Sequence, residues 1–422
     1  MKFTSIIISP SKIINFFIFF LPISFVIGNA AININILLIQ ILFLLFFSKL
    51  YFVYFKIKKN LIITLLFLLL FLLNILYSVN TNVSLISFLG ILRYGLLLLN
   101  FHLLLKYNII NFKGFEKTLI LAFAFVLCDT IYQYINGYDI FSYPTYGTQP
   151  VRLTGPFGNE PVPGSFLVKL SFLFLYSISL IIQNIKYKNI FLLVLLLLIF
   201  ITVLLTKERA ATIMILLGIF TFILVNKSIA LKAKLLFFLL FFVFFITLIS
   251  SVKSLKNHYL TRTFSQLGIS KVNTFNNFKE HKKIYDSQWG AHYLTAFEVF
   301  KDYPLLGSGM KTFVLVCSDK KYDNIDSASK DSRCSTHPHN IYYEILYSGG
   351  LLFFIIFIGI ILFLLYKILY IDSEKKIFLF INWLILFFPF QTTGSLYQTW
   401  NGLFFIFFGI YLINICTEIK KN

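Results

Sequence analysis

The chain has 422 residues, of which 58% are hydrophobic and 13% are charged, and its formal net charge is +20. Soluble domains of this size cannot bury so much apolar surface, so the composition excludes an ordinary soluble enzyme. Repeated uncharged stretches of about 18 residues, each long enough to cross ~30 Å of hydrocarbon, predict an all-α membrane protein instead.

Hydropathy predicts about twelve transmembrane helices. The first follows Lys2 and Lys12 but lacks a small-residue cleavage site, so it is interpreted as a span and not as a removed leader. The predicted spans are 13–29, 33–55, 61–78, 84–105, 117–135, 164–183, 190–206, 210–226, 235–250, 346–369, 377–393 and 399–416.

The lysines of the short loops predict the orientation of these spans. Apart from Lys207 in the 206–210 turn, they fall in every second gap, and cytoplasmic loops are enriched in Lys and Arg, so these gaps and both termini are expected in the cytoplasm. The same distribution accounts for much of the positive charge, and no helix or ribbon suited to a DNA groove is visible, which argues against a nucleic-acid partner. The lysines concerned are Lys56, Lys58, Lys59, Lys106, Lys113, Lys117, Lys186, Lys188, Lys227, Lys232, Lys234, Lys367, Lys375, Lys376, Lys420 and Lys421.

This topology divides the chain into three parts. Residues 1–250 hold spans one to nine with a periplasmic loop at 136–163, residues 251–340 form one large periplasmic loop, and residues 341–422 hold the last three spans. A structureless loop of that length would be unusual. We therefore expect short helices in the large loop, one of them over residues 289–301.

Histidines are concentrated in the large loop, which holds five of the six. Histidine readily accepts a proton near neutral pH. The segment HPHN (337–340) adjoins the next span, where a lipid-borne substrate would lie, and a histidine there can deprotonate a sugar hydroxyl. A metal site is the alternative for the His-x-His pair, but the loop has no obvious third and fourth ligand at zinc-like spacing. The other loop histidines are interpreted as surface residues: His258, His281 and His292.

Three arginines are predicted on the outer side, where positive-inside bias disfavours basic residues. Arg209 lies in a tight turn between two spans, Arg152 in the Pro- and Gly-rich loop, and Arg262 early in the large loop. Guanidinium groups bind phosphate oxygens in a bidentate manner, so these residues are candidates for a phosphate site. For Arg209 the alternative is a side chain that extends to lipid headgroups.

Arg93 lies inside a predicted span, and a charge at that depth needs a partner. Asp129 is the acidic residue deep in the following span, at a similar distance from the outer end. We therefore expect these two residues to form a structural ion pair.

The cysteines divide by compartment. Cys317 and Cys334 lie in the large loop, where an oxidising periplasm favours a disulfide, with two free thiols as the alternative. Cys128 and Cys416 lie in spans and are interpreted as inert packing residues.

Three stretches, in this order, resemble motifs of the O-antigen ligase and polymerase superfamily of multi-span glycosyltransferases. TKERAATIMILLGIF (206–220) resembles a Ser-Arg turn leading into a span, with Glu208 in place of the usual serine. WGAHYLTAFEVFKDYPLLGSGMKTF (289–313) resembles a Trp-led helix followed by Pro-Leu-Leu-Gly-x-Gly. THPHNIYYEILYSGGLLF (336–353) resembles the closing His-x-His-Asn-x-Tyr motif.

The resemblance implies the chemistry of this protein. It implies a metal-independent and cofactor-free enzyme that moves a glycan from undecaprenyl pyrophosphate to a sugar hydroxyl of lipid A–core, with inversion, among the lipids at the periplasmic face of the bacterial inner membrane. His339 then corresponds to the catalytic base, and His337 supports it. The donor phosphates would be held by Arg209, Arg262 and, because 152–167 resembles a segment of the ligase-like branch, Arg152, with support from Glu160 and Asn340.

Two other functions stay open at this point. An O-antigen-type polymerase would share the fold and the donor but would use a second lipid-linked repeat as the acceptor. A polysaccharide transporter or flippase predicts spans interrupted by Gly or Pro near the midplane in two matching halves, whereas the polar residues here gather at the outer face.

Overall fold

The structure, a computed structural model, describes residues 9–147, 151–182, 187–226, 230–261, 263–264, 286–371 and 375–419. Within these ranges the regular structure is helical, and the extended pairings are two isolated bridges, Tyr138 with Pro144 and Tyr146 with Arg152. The predicted all-α membrane fold is confirmed.

Helices of the described residues follow the hydropathy pattern closely. They form because a backbone crossing hydrocarbon must satisfy its own hydrogen bonds, which an uncharged apolar run achieves as a helix. The main helices are α1 (Pro10–Ile27), α2 (Asn29–Phe47), α3 (Lys49–Phe55), α4 (Lys58–Leu76), α5 (Thr81–Lys106), α6 (Phe112–Asn136), α7 (Pro163–Ile181), α8 (Lys188–Leu205), α9 (Arg209–Val225), α10 (Leu231–Ser251), α11 (Gln288–Asp302), α12 (Ile341–Leu369), α13 (Lys376–Leu386) and α14 (Thr399–Ile419).

Among the residues that the structure describes, ten helices are long and apolar enough to cross a membrane. The shorter apolar helices α9 and α13 occupy the two remaining predicted spans. One predicted span, 33–55, is divided between α2 and α3 at Ser48. Every hydropathy segment therefore coincides with at least one helix.

Helix α7 is the centre of the bundle. In its span window 72% of the residues are buried, against 11% in α10 and in α12, which therefore lie at the periphery. Helices α6, α8, α9, α13 and α14 pack around α7. Phe166 of α7 contacts Phe25 and Phe404 with ring centroids 5.3 and 6.3 Å apart, so aromatic packing joins α7 to α1 and α14.

The predicted ion pair between Arg93 and Asp129 is wrong. Helices α5 and α6 follow each other in the chain, but α5 packs against α14 while α6 packs against α1 and α7. Arg93 donates to neutral oxygens instead, among them Thr399 Oγ1 at 2.8 Å and Asn33 Oδ1. Asp129 Oδ1 accepts the Ile140 amide at 2.9 Å, so both charges are stabilised by hydrogen bonds within different parts of the bundle.

The predicted disulfide between Cys317 and Cys334 is confirmed, with Cα atoms 5.3 Å apart. It closes a segment whose Tyr322 packs with Phe313 and with Tyr347 of α12 in a small apolar cluster that also contains Cys317. The predicted loop helix is also present as α11. Cys128 and Cys416 form no disulfide, and Cys128 is exposed on α6 and not packed inside the bundle as predicted.

Candidate active site

One end of the bundle gathers the segments on which the candidate residues lie. We call it the loop face, the end at which α7, α9, α12 and α14 begin, and it carries residues 137–147, 151–162, 206–208, 286–340 and 387–398. Its segments are joined by the rings of Phe157 and Trp400 at 5.8 Å, by the hydroxyls of Tyr397 and Ser348 at 2.6 Å, and by the Thr393 amide, which donates to His339 O at 2.8 Å.

A break in α12 receives the Pro-Leu-Leu-Gly-x-Gly segment. Gly350 has φ 65° and ψ −165°, which interrupts the helix and frees backbone groups around it. The amide of Leu351 donates to Pro304 O at 2.8 Å, and that of Ser308 donates to Tyr347 O at 2.8 Å. The second and third sequence motifs are therefore one structural unit, in which backbone groups of one motif form hydrogen bonds with backbone groups of the other.

Gly307 explains why this docking needs glycine. A Cβ atom there would lie 2.3 Å from the backbone carbon of Ser348 and 2.4 Å from the amide nitrogen of Gly349. The fully buried Asn74 of α4 fastens the same junction, because its amide donates to Leu306 O at 2.6 Å and to Ser348 O at 2.8 Å. The junction fixes the entrance to α12, and with it the segment immediately before α12.

His339 lies just before α12 and not in its first turn. Asn340 is the N-cap: its Oδ1 accepts the Tyr342 amide at 2.9 Å, and its Nδ2 donates to Pro389 O at 2.7 Å. His339 adopts φ +58°, in the left-handed region that non-glycine residues rarely occupy. The amide of Thr393 holds this conformation by donating to His339 O. Such a held conformation is typical of functional positions.

Three imidazoles and one indole form a compact cluster at this point. The ring centroid of His339 lies 4.0 Å from that of His337, 5.4 Å from that of His292 and 4.6 Å from that of Trp289. His292 is fully buried and His258 is 7% exposed, so the surface interpretation of these two histidines is wrong. The residue His281 lies outside the described residues.

Burial governs the protonation of the cluster. It lowers the pKa of His339 to about 3, with smaller contributions from the charges of His337 and His292. Burial likewise lowers the pKa of His337 to about 4. Both rings are therefore neutral near pH 7. Ser335 Oγ lies 3.1 Å from His339 Nε2 and is placed to orient that ring.

Glu208, the residue that replaces the serine of the first motif, caps α7. Its carboxylate accepts the amides of Gly164 at 2.7 Å and Ser165 at 3.0 Å, and the Ser165 hydroxyl at 2.6 Å. A carboxylate at a helix N-terminus is favoured by the unpaired amides and by the helix dipole. Burial raises the pKa of Glu208, while these hydrogen bonds and the charge of Arg152 oppose the increase.

Two of the three candidate arginines lie in one neighbourhood. Arg209 is the first residue of α9, and Arg152 Nη2 donates to Pro161 O at 3.0 Å. Burial raises the pKa of the Tyr259 hydroxyl, and the charges of Arg152 and Arg209 both oppose this increase. Both arginines therefore lie within electrostatic reach of that hydroxyl. That hydroxyl is 2.9 Å from Thr212 Oγ1 and donates to Leu204 O at 2.9 Å, which fixes it beside α9.

The remaining candidates divide between exposed and undescribed positions. Glu160 is exposed on the loop that also carries Arg152. Arg262 lies outside the described residues. Within the described parts of the chain, no three His, Cys, Asp or Glu side chains are placed to hold a metal ion.

Sequence reasoning missed Lys169, although a signal for it was present. It stands inside the predicted span 164–183, and an ionisable residue within a span is by itself a pointer to function. Its Nζ lies 4.7 Å from the ring centroid of Phe404, which is fully buried. Likewise His292 could have been recognised from the helical period of α11, whose buried residues include Ala291, Thr295 and Val299.

Fold and site together define a multi-pass membrane protein with a neutral histidine cluster and a group of cationic side chains at one end of its helix bundle. Residues 193–358 match the model of a protein family described as O-antigen ligase. This match supports the predicted resemblance to the O-antigen ligase superfamily. The matched range contains Arg209, His337 and His339, whereas Arg152 and Glu160 precede it. No curated protein matches the chain.

Proposed function

We propose that this protein is an O-antigen ligase-like glycosyltransferase, which moves a glycan from undecaprenyl pyrophosphate to a sugar hydroxyl of lipid A–core. The observation that carries the proposal is His339, a neutral imidazole held in a left-handed conformation directly before the capped start of α12. A base must be neutral and rigidly mounted before it can take a proton from a hydroxyl in the transition state.

The reaction needs one proton acceptor and one site for the leaving group. His339 takes the proton of the acceptor hydroxyl as its oxygen forms a bond to the anomeric carbon. The bond from that carbon to the phosphate oxygen breaks, and the electron pair leaves with undecaprenyl pyrophosphate. Arg209, Arg152 and Arg262 stabilise the departing charge, which requires no metal ion. Attack from the face opposite the phosphate inverts the anomeric centre.

The loop face is the periplasmic face of the bacterial inner membrane in this proposal. Support comes from the lysines of the short loops, which lie, apart from Lys207, in the alternate gaps and at both termini, as cytoplasmic segments require. The large loop 251–340 would then be the catalytic loop. An enzymatic reporter fused at position 300 should be active only in its periplasmic form, and activity only of a cytoplasmic reporter would contradict this orientation.

The acceptor distinguishes a ligase from an O-antigen-type polymerase, which would use the same donor and base. Purified protein should be incubated with an undecaprenyl-pyrophosphate glycan and either lipid A–core or a second lipid-linked repeat. We expect a product with lipid A–core. A product that forms only with the second repeat would identify a polymerase, and no product with either acceptor would contradict glycosyl transfer.

A further inference from the structure

Lys169 is the cation that neither the motifs nor the proposed mechanism uses. Its neighbours Val168 and Leu170 are 1% and 0% exposed, and the helix that carries it is the most enclosed of the ten candidate spans. Burying an ammonium group without a compensating partner is costly. A lysine at this position therefore needs an explanation beyond packing.

The side chain of Lys169 is directed towards the site. Ser165 and Lys169 are four residues apart and share one face of α7, and helical side chains lean towards the helix N-terminus. Ser165 is the residue whose hydroxyl and amide bind Glu208. Lys169 is about one helical turn further into α7 than Ser165, and the charge of Glu208 acts on it, although the two form no ion pair.

The side chain of Lys169 is half-buried. The side chain keeps partial access to solvent, whereas the ring of Phe404 against which it lies has none. Its described contact is this cation–π contact, which leaves the three N–H donors available to a ligand.

The net charge around Lys169 indicates which class of ligand this site can bind. Glu208 is within electrostatic reach of Arg152 and of Lys169, and Arg209 is the next residue of the chain. Three cations and one carboxylate leave a formal charge of +2 in this group. A pyrophosphate diester carries two negative charges, and lysine is a compact point charge suited to phosphate oxygens.

We propose that Lys169 is a binding residue for the pyrophosphate of the lipid-linked donor, reaching it from inside the bundle while the arginines reach it from the loop face. This inference rests on the proposed function. It adds to it that the phosphate site extends below the surface loops into the helix bundle. The donor would then enter between helices, with its pyrophosphate at the level of the α7 cap.

Lys169→Met tests the proposal, because methionine keeps the length of the side chain without its charge. We expect the affinity for undecaprenyl pyrophosphate, without a glycan, to fall about 10- to 100-fold, as for the loss of a charged hydrogen bond. The donor KM should rise with it. The melting temperature of the lipid-free protein should stay the same or rise, since a half-buried charge that forms no ion pair is removed. Lys169→Arg should retain most of the affinity.

A matched control is Lys367→Met, which removes a lysine lying 5.3 Å from the ring of Phe363 at the other end of α12. It should leave the affinity for undecaprenyl pyrophosphate unchanged. If Lys169→Met gives too little folded protein, Lys169→Gln supplies the same comparison with a polar, uncharged side chain.

Each outcome bears on a different claim. Wild-type affinity in Lys169→Met overturns the inference but leaves the proposed function standing. A lower melting temperature that Glu208→Gln restores, with unchanged affinity, also overturns it and assigns Lys169 to the neutralisation of Glu208. If the wild-type protein itself fails to bind undecaprenyl pyrophosphate, the proposed donor is wrong and the inference falls with it.

Discussion

His339→Ala should lower turnover by about 10²–10⁴-fold, the contribution that a positioned base typically makes. The reason is that a substrate hydroxyl then loses its proton acceptor, while the arginine group that holds the donor is untouched. Measurement of kcat for purified protein at matched concentration checks the prediction. The affinity for undecaprenyl pyrophosphate should stay close to that of the wild type, which separates a chemical role from a binding role.

His337→Ala is the comparison that assigns the base. The His337 ring lies 4.0 Å from the His339 ring, and its Nδ1 is 2.9 Å from Thr336 Oγ1, so its removal perturbs the cluster without removing the acceptor. We expect a smaller loss of turnover than for His339→Ala. Near wild-type activity of His339→Ala, with a large loss for His337→Ala, would transfer the role of base to His337.

Arg209→Ala should weaken donor binding by about 10-fold or more, because a charge-assisted contact to phosphate is lost. Arg209→Lys should restore little, since an ammonium group lacks the two parallel donors of a guanidinium group. The donor KM, measured at saturating acceptor, should rise in both variants.

Arg333→Ala is the control for a general loss of positive charge from the large loop. Arg333 forms an ion pair with Asp323, with Nη2 and Oδ1 2.5 Å apart. This control should leave the donor KM unchanged. Equal effects of the two alanine substitutions would mean that the donor senses only the total charge, and would contradict a specific role for Arg209.

Local signals made much of the fold predictable. A run of apolar residues long enough to cross hydrocarbon specifies a helix without reference to the rest of the chain. The disulfide of Cys317 and Cys334 was predictable for a similar reason, because two cysteines in one loop have few other partners. By contrast, the partners of Arg93 depended on α5 packing against α14, which is remote in sequence. Hydropathy contains no information on which spans become neighbours.

The site shows the same division between local and long-range information. His339 was predictable because a short motif carries it, but its conformation depends on Thr393, 54 residues later. The role of Glu208 in capping α7 depends on Gly164 and Ser165, more than 40 residues earlier. The position of Lys169 inside a span was visible in the sequence, but its proximity to Glu208 depends on the packing of α7 against α9. A single sequence specifies which groups are present, whereas packing decides which of them meet.

The stereochemistry of the transfer product tests the central claim most directly. Purified protein should be incubated with an undecaprenyl-pyrophosphate glycan and lipid A–core in the presence of EDTA, and the anomeric configuration of the new linkage determined by NMR. We predict that the product forms in EDTA and that its anomeric configuration is inverted relative to the donor, as direct displacement with His339 as base requires. Retention of configuration, or transfer that stops in EDTA and resumes on addition of a divalent metal, would contradict the account.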